Sequence, residues 1–359
     1  MATIKVEMGF QVNHVAAVRT AADDLLRQGQ LARELGSPFI ADVLGAAARN
    51  LHLAPQVKAI LDNWPSDRLS SAAALRLNAG LHHVARIGSV PALSAAYARL
   101  DGNCEHAVAQ AMRQCDTMLT GWLARPTQTN EIARSAAIMA ALRLVAMRDG
   151  SAIDLLELGA SAGLNLNLAR YSHDLGGISA GDPASPVIIR PQWFGKAPAG
   201  TPARIIRARG VDLAPPDAND PDDCERLLAF VWADQRDRLE RQRQAIMLAR
   251  LHPVDVVRHD AIDWLRASLA SPGMDGVCRT VVHTMFHQYL PQDRRSALSE
   301  ILEAAGAAST ARSPLACIAL EWDSARHEVE LILTTWPGGH RAKLAVVHPY
   351  GAWIRWLGP

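Results

Sequence analysis

The N-terminal part of the chain has the spacing of apolar residues that is typical of helices. Between residues 12 and 148 apolar positions recur every three to four residues, so that Val15, Val18 and Ala22, for instance, share one face of a helix. Proline at position 38 suits the first turn of a helix, where its missing N–H is not needed. The pattern predicts helices at about 12–34, 38–50, 55–62, 70–87, 91–99, 104–124 and 130–148.

The pattern changes at Asp149-Gly150, after which short apolar runs alternate with helical stretches. This alternation favours an α/β fold with a doubly wound, largely parallel sheet. The last two runs flank Pro337-Gly338-Gly339, a turn sequence that predicts a terminal antiparallel hairpin. We therefore expect an all-α region at 1–149 and a Rossmann-like domain at 150–359. Strands are predicted at 153–158, 204–209, 254–259, 279–284, 315–321, 328–335 and 342–348.

A turn of very small residues follows the first predicted strand. The apolar run from Ile153 to Leu158 leads into Gly159, Ala160, Ser161, Ala162 and Gly163, and an amphipathic segment from Leu164 to Tyr171 comes next. The pattern predicts a strand, a tight turn and a helix, which is where an α/β fold lets its backbone approach a cofactor.

Two cofactors compete for this turn. A dinucleotide fingerprint needs G-x-G-x-x-G, and the chain has no glycine at the third position of that pattern. The spacing Glu157-x-Gly159-x-Ser161-x-Gly163 resembles instead the first motif of class I S-adenosylmethionine-dependent methyltransferases. The alternative is a glycine-rich turn that binds no ligand. The resemblance implies a cofactor site formed by Glu157, Gly159, Ala160, Ser161, Gly163 and Asn165.

Two further acids follow predicted strands. Asp212 lies just beyond the second strand, where an acid in nucleoside-binding α/β folds accepts hydrogen bonds from ribose hydroxyls. Asp260 follows the third strand, where it could bind an adenine amino group. Asp212 could equally be an ordinary loop acid, and Asp260 could equally cap the following helix.

The end of the fourth predicted strand and the segment after it are rich in polar side chains. His283, His287 and Tyr289 are candidates for catalysis there, because a histidine can act as a general base near neutral pH. The alternative for each histidine is a hydrogen-bonded structural role. The four-residue spacing of the two histidines lacks the glutamate of a zinc-binding H-E-x-x-H motif, so no metal site is expected.

A second polar group precedes the glycine turn in the chain. Gln128, Asn130 and Arg134 are candidates for substrate binding, and Glu131 is a further candidate for catalysis. The alternative is a capped helix start, since Thr129 or Asn130 can cap and Glu131 suits the first turn. Charges of alternating sign between Trp232 and Arg243 predict a solvated helix face, although its arginines could also meet an anionic substrate.

Composition limits the classes of function. The formal net charge is +1, which gives no general attraction to nucleic acid or to an anionic membrane. The five cysteines form no C-x-x-C motif, and no apolar run approaches the length of a membrane span. No signal peptide is evident. We expect a cytoplasmic protein with reduced thiols that acts on a small molecule, and the oligomeric state is left open.

Several strings together resemble a family of bacterial proteins catalogued as a domain of unknown function. The resemblance covers nearly the whole chain and implies a methyltransferase-like domain behind a helical region, with no established substrate. The chain departs from the pattern at Ala233, where a proline is usual, and in a shortened 177–205 region. The strings are 128–131, 156–165, 210–215, 232–235, 283–289 and 348–356.

These observations favour S-adenosylmethionine-dependent methyl transfer to a small acceptor. The alternative is a non-catalytic protein that keeps the fold and binds a nucleoside-like ligand or a partner. A dehydrogenase is disfavoured by the glycine spacing.

Overall fold

The computed structural model describes residues 19–65, 68, 72–100, 102–150 and 152–359. The predicted residues 12–18 of the first helix and 70–71 of the fourth lie outside this part of the chain. The helices up to residue 149 are α1 (Ala21–Glu34), α2 (Pro38–Arg49), α3 (Pro55–Asp62), α4 (Ala73–Arg86), α5 (Pro91–Arg99), α6 (Glu105–Gln114), α7 (Asp116–Ala124) and α8 (Ser135–Asp149).

The first seven helices pack around one apolar core. The side chains of Ile40, Leu44, Leu77 and Leu119 are fully buried in it. Trp232, from a much later part of the chain, is buried in the same core. The N-terminal region is therefore helical as predicted, and it holds a side chain from the other half of the protein.

A large mixed sheet forms the second half, with the order β5-β12-β11-β10-β9-β8-β1-β6-β7. The strands β7, β6, β1, β8 and β9 run parallel to one another, and antiparallel pairing joins β9 to β10, β10 to β11 and β11 to β12. This confirms a mixed α/β fold that ends in an antiparallel group. The strands of the sheet are β1 (Ala152–Leu158), β5 (Gln192–Phe194), β6 (Arg204–Asp212), β7 (Asp255–Arg258), β8 (Cys278–Thr284), β9 (Leu315–Trp322), β10 (Val329–Trp336), β11 (His340–Val347) and β12 (Trp353–Trp356), while β2 (Ser172–Asp174), β3 (Ser179–Gly181) and β4 (Ile188–Ile189) form a small separate sheet.

Helices cover both faces of the large sheet. Successive residues of β1 point to opposite faces, so Leu155 belongs to the core under α8 while Leu156 belongs to the core on the other face. Both faces of β1 are thereby shielded from water, as expected for a central parallel strand. The remaining helices are α9 (Pro221–Ala229), α10 (Arg236–Leu251), α11 (Ala261–Leu269) and α12 (Gln292–Ala307). None of the described helices combines the length and the apolar character that crossing a bilayer demands.

The predicted helix 104–124 is wrong as a single element, because the chain breaks it at Cys115 into α6 and α7. Asp116 begins the second piece, and its carboxylate accepts hydrogen bonds from the N–H groups of Gln56 (3.0 Å) and Val57 (2.9 Å). Asp116 therefore caps the start of α3. The break lets Asp116 contact residues about 60 positions earlier in the chain. The spacing of apolar residues within 104–124 does not indicate this contact.

Two other predicted helices begin differently. The segment after the glycine turn is a 3-10 helix, Leu164–Arg170, and not an α-helix. The predicted helix 130–148 begins as an α-helix only at Ser135, after a 3-10 turn at Ile132–Arg134. Sequence periodicity also missed β12 and β5, which extend the sheet beyond the antiparallel pair. These short elements are fixed by contacts between distant segments.

Two buried histidines should make the protein less stable in mild acid. Burial, together with the charge of Arg86, lowers the pKa of His82 to about 4, and burial lowers the pKa of His173 to about 4. Below pH 6.5 the two histidines bind protons in the unfolded chain, whereas in the folded protein they stay neutral until the pH approaches 4. The free energy of unfolding should therefore fall between pH 6.5 and 4 by up to ~1.4 kcal/mol per pH unit for each histidine.

Urea unfolding at several pH values measures this slope. His82→Gln should flatten it, while the same change at the exposed His340 should leave it unaltered. An unchanged slope in the His82 variant would contradict the assignment.

Candidate functional site

The candidate site lies where the strand order reverses beside β1. Along the chain, the strands after β1 are added first on one side, as β6 and β7, and then on the other, as β8 and β9. In open α/β sheets the crevice at the carboxyl ends of the strands at such a point is the usual ligand site. Leu158 at the end of β1 pairs with Val211 of β6 and with His283 of β8, so the polar residues that follow these strands meet at one edge.

The small-residue turn is held against β6. Gly159, Ser161 and Gly163 all have positive φ (66°, 53° and 70°). The N–H of Ser161 donates to the Oδ2 atom of Asp212 (2.9 Å). Asp212 is the last residue of β6 and not a residue beyond it, and it fixes the turn.

Packing accounts for part of the small-residue pattern. A Cβ atom on Gly163 would lie 2.6 Å from the side chain of Val256, so this glycine is needed for packing of the turn against β7. A Cβ atom on Gly159 would lie 2.7 Å from the ring of Phe286. Phe286 follows β8, so the ring from the neighbouring strand covers the start of the turn.

Glu157 is a buried carboxylate without a full set of partners. Its side chain is 4% exposed, and its Oε2 atom has no hydrogen-bond partner. Asn165 lies beside it, and the Oδ1 atom of Asn165 also lacks a partner. Burial raises the pKa of Glu157 to about 8, against the opposing effect of a hydrogen bond with the Asn165 side chain, and the charge of Asp212 adds to the rise. An acid of this kind is costly to the fold, which is a common sign of a ligand site.

The 128–134 segment lies directly against the turn. The Nε2 atom of Gln128 donates to the Ala214 carbonyl oxygen (3.1 Å) and to Asp212 Oδ1 (3.4 Å), and its Oε1 atom accepts from the Ser161 hydroxyl. Asn130 Oδ1 accepts from the N–H of Leu164 (3.4 Å). These contacts bring the predicted substrate-binding residues Gln128 and Asn130 to the predicted cofactor turn.

Arg134 links the same segment to the end of β8. Its guanidinium is buried and donates to the Pro349 carbonyl oxygen (2.9 Å) and to the Thr284 hydroxyl (3.5 Å). A buried cation therefore lies between the helical segment and the last residue of the strand that precedes His287.

Glu131 forms a buried ion pair that the sequence did not indicate. Its Oε1 atom accepts from the N–H of Ala133 (3.0 Å), so Glu131 itself is the cap of the 3-10 turn and not a residue of its first turn, and its Oε2 atom accepts from Arg238 Nε (2.7 Å). Burial alone would raise the pKa of Glu131, but Arg238, Arg241 and Arg134 hold it below its ordinary value.

The expectation of a solvated face at 232–243 is wrong for Arg238. Its side chain is 11% exposed, and the guanidinium also lies over the ring of Tyr350, 4.1 Å from the ring centre. Glu131 and Arg238 are 107 residues apart, so neither periodicity nor motif spacing could join them.

The end of β8 and the residues after it form a second polar group with the end of β9. His283 Nδ1 lies 2.7 Å from Glu321 Oε1, and the rings of His283 and His287 stack with their centres 4.5 Å apart. Burial alone would lower the pKa of His283, but Cys317 and Glu321 raise it to about 10. Burial and the His283 charge lower the pKa of His287 to about 4.

Glu321 also organises the backbone there, because its two oxygens accept from the N–H groups of Phe286 (2.9 Å) and His287 (3.3 Å). Tyr289 ends this 3-10 turn, and 45% of the residue is exposed.

Asp260 does not join these groups through any described hydrogen bond. Its carboxylate accepts from the N–H groups of Ile262 (2.9 Å) and Asp263 (3.0 Å), which makes it the N-cap of α11, and it pairs with Arg294. The capping alternative is therefore confirmed for this residue.

Backbone strain gathers at the same edge. Six described residues other than glycine have positive φ, and three of them are Asn130, Ser161 and Met285. One comes from each of the three segments that meet here. Strained conformations of this kind persist only where the surroundings impose them, and they cluster at binding and active sites.

A cleft of about 500 Å³ lies elsewhere, between α4, α5 and α10, and includes Arg86, Tyr97 and Arg243 in its walls. Arg86 is held there by a bidentate pair with Glu225. None of the residues at the edge of β1 lines this cleft.

Residues 22–356 match the family described as "Uncharacterized protein conserved in bacteria (DUF2332)". The match spans nearly the whole chain, so the protein belongs to this bacterial family, as the short strings indicated. No curated protein and no solved structure matches the chain.

Proposed function

We propose that this member of the bacterial DUF2332 family is an S-adenosylmethionine-dependent methyltransferase that acts on a small acceptor. The observation that carries the proposal is the buried Glu157 carboxyl group, whose Oε2 atom has no partner. The methionine part of S-adenosylmethionine has an α-ammonium group, which can supply the missing hydrogen bond and the opposite charge.

The strand order supports a nucleoside ligand. Numbered in chain order, the parallel strands β7-β6-β1-β8-β9 read 3-2-1-4-5, which is the order of the first five strands in dinucleotide-binding folds. Asp212 ends the second of these strands. Its Oδ2 atom accepts one described hydrogen bond, from Ser161, and a carboxylate oxygen can accept two. In this proposal the free capacity binds a ribose hydroxyl.

The acceptor would lie between the 128–134 segment and the residues after β8. Methyl transfer by direct displacement depends mainly on the alignment of sulfur, methyl group and acceptor. In this proposal Arg134, His287 and Tyr289 contact the acceptor. Glu131 has both oxygens engaged by Arg238 and Ala133, so we assign it to positioning of its segment and not to chemistry.

Binding of S-adenosylhomocysteine, which keeps the α-ammonium group, should release up to about one proton per site at pH 7. The pKa of about 8 means that Glu157 is mostly protonated at pH 7, whereas pairing with an ammonium group needs the carboxylate. The affinity should therefore rise as the pH increases toward 8. Calorimetric titration in phosphate and in Tris, which differ in ionisation heat, measures the proton release.

Glu157→Gln should abolish the proton release and weaken binding, and NAD should give no binding heat. Binding of S-adenosylhomocysteine with no dependence on buffer would reject the role of Glu157. No binding at any pH would reject the cofactor.

A non-catalytic role is the second candidate, and the position of Phe286 favours it. The ring lies against Gly159 and occupies the space that a ligand at the turn would approach. Phe286→Ala separates the candidates. If this ring only limits access, the variant should bind S-adenosylhomocysteine more tightly than the natural chain. Failure of both proteins to bind would favour the partner-binding alternative.

A further inference from the structure

We propose that His283, His287 and Glu321 bind one divalent transition-metal ion. Each side chain offers one ligand atom, and the three atoms lie within 4.8 Å of one another. This is the single such group of three or more histidine, cysteine or acidic side chains found among the described residues. Sequence spacing gave no reason to expect it, because Glu321 comes from the end of β9 and reaches the histidines only through the pairing of β8 with β9.

The spacing of the three side chains fits one ion after small rotations. Nitrogen and oxygen ligands lie about 2.0 to 2.2 Å from zinc, so neighbouring ligands of a tetrahedral ion are about 3.3 to 3.6 Å apart. The separation of 2.7 Å between His283 and Glu321 is shorter than this, and all three ligand atoms lie within 4.8 Å of one another. Changes of about 1 Å in the positions of the ligand atoms would bring the set together, and rotation of the side chains can supply them.

The scaffold already orients the ligands. His283 lies within β8, and Glu321 lies within β9 with its oxygens fixed by the N–H groups of Phe286 and His287. Ligands that are held by backbone hydrogen bonds lose little freedom on binding a metal. Cys317 lies beside the imidazole of His283 and adds a sulfur atom to the surroundings.

The ligand types indicate the class of ion. Two imidazoles with one carboxylate suit zinc, iron(II), cobalt(II) or manganese(II), whereas magnesium and calcium prefer oxygen ligands. Three protein ligands leave at least one coordination position free. His283 and Glu321 are buried while His287 is half-buried, so the free position would open on the side of His287. An oxygen atom of a substrate or of water would bind there.

This inference does not depend on the cofactor proposal. A metal bound at the end of β8 could polarise an oxygen atom of an acceptor, whichever cofactor the turn binds. The metal is therefore tested in the absence of any nucleoside ligand.

Calorimetric titration of the metal-free full chain with zinc should show one tight site. His287→Ala should weaken zinc binding by at least about tenfold, because loss of a direct ligand costs no less than loss of an outer hydrogen bond. His340→Ala is the matched control, since this exposed histidine lies at the start of β11, and it should bind zinc like the natural chain. The five cysteines are buried, so they do not offer a competing surface site.

Cobalt(II) gives a second readout, because its visible absorption reports nitrogen and oxygen ligation directly. Glu321→Gln should reduce this absorption together with the affinity. If that variant unfolds, the half-buried His287 still decides the question. The proposal would be overturned if His287→Ala bound zinc as tightly as the natural chain. It would also be overturned if His340→Ala lost as much zinc affinity as His287→Ala.

Discussion

Glu157→Gln should make the protein more stable at pH 7, by up to about 3 kcal/mol. The pKa of Glu157 is raised by burial from 4.5 to about 8. Between these two pH values the folded protein holds a proton that the unfolded chain has released. The contribution of this residue to stability is therefore complete below pH 4.5 and is lost as the pH rises toward 8, at ~1.4 kcal/mol per pH unit.

Glutamine has nearly the same shape and no charge, so the variant avoids this loss. Its amide group can also donate to Asn165 Oδ1, which lacks a partner. Denaturant unfolding at pH 4, 6 and 8 should show a gain that grows with pH and vanishes at pH 4. Glu300→Gln, at an exposed position of α12, is the control and should change little. A variant that is less stable at every pH would show that Glu157 has partners in solution.

Glu131→Ala should destabilise the protein, in contrast to Glu157→Gln. It should lower the free energy of unfolding by about 3 to 5 kcal/mol. The carboxylate of Glu131 is the anion that Arg238 contacts at 2.5 Å, and the side chains of Arg238 and Glu131 are only 11% and 5% exposed. Removing it leaves Arg238 without its counter-charge among other arginines. It also removes the acceptor for the N–H of Ala133. Loss of one partner of a buried pair is far more costly than loss of an exposed pair.

Urea unfolding near pH 7 measures this effect, and two comparisons isolate its cause. Asp275→Ala breaks a pair with Arg312 that is exposed, with side chains 63% and 81% accessible, and should cost less than about 1 kcal/mol. Replacing Glu131 and Arg238 together by Ala and Met should be less harmful than the loss of Glu131 alone. If the single and double variants were equally unstable, the ion pair would not be the cause.

The residues around Glu131 and Glu157 show what sequence patterns can and cannot predict. Continuous local patterns predicted the strand β1, the turn at 159–163 and the polar segments at 128–134 and 283–289. The patterns did not predict which side chains of these segments contact each other or contact distant residues. Arg238 reaches Glu131 across 107 residues, and Glu321 reaches His283 across 38, through sheet pairing and helix packing that periodicity does not encode.

The structure shows how two local predictions from the sequence, for Asp260 and for the helix 104–124, depend on tertiary contacts. Asp260 had two local interpretations that do not exclude each other: the structure shows the helix cap and the pair with Arg294, and the ligand role stays a prediction. The split of the predicted helix 104–124 depended on Asp116 and the start of α3, which lies about 60 residues earlier. Local rules predict which side chains can cap a helix, whereas tertiary contacts decide which helix they cap.

Helix α8 has a consequence for any dissection of the protein. It comes before the first strand, yet Ile138, Leu142 and Val145 are buried in the same core as Leu155 of β1 and Ile318 of β9. A fragment that begins at residue 150 would leave this face of the sheet open to water. It would also lose Gln128 and Arg134 from the edge of β1. The change from helices to strands along the chain therefore marks a change of secondary structure, and not a place where the polypeptide can be cut into two independent parts.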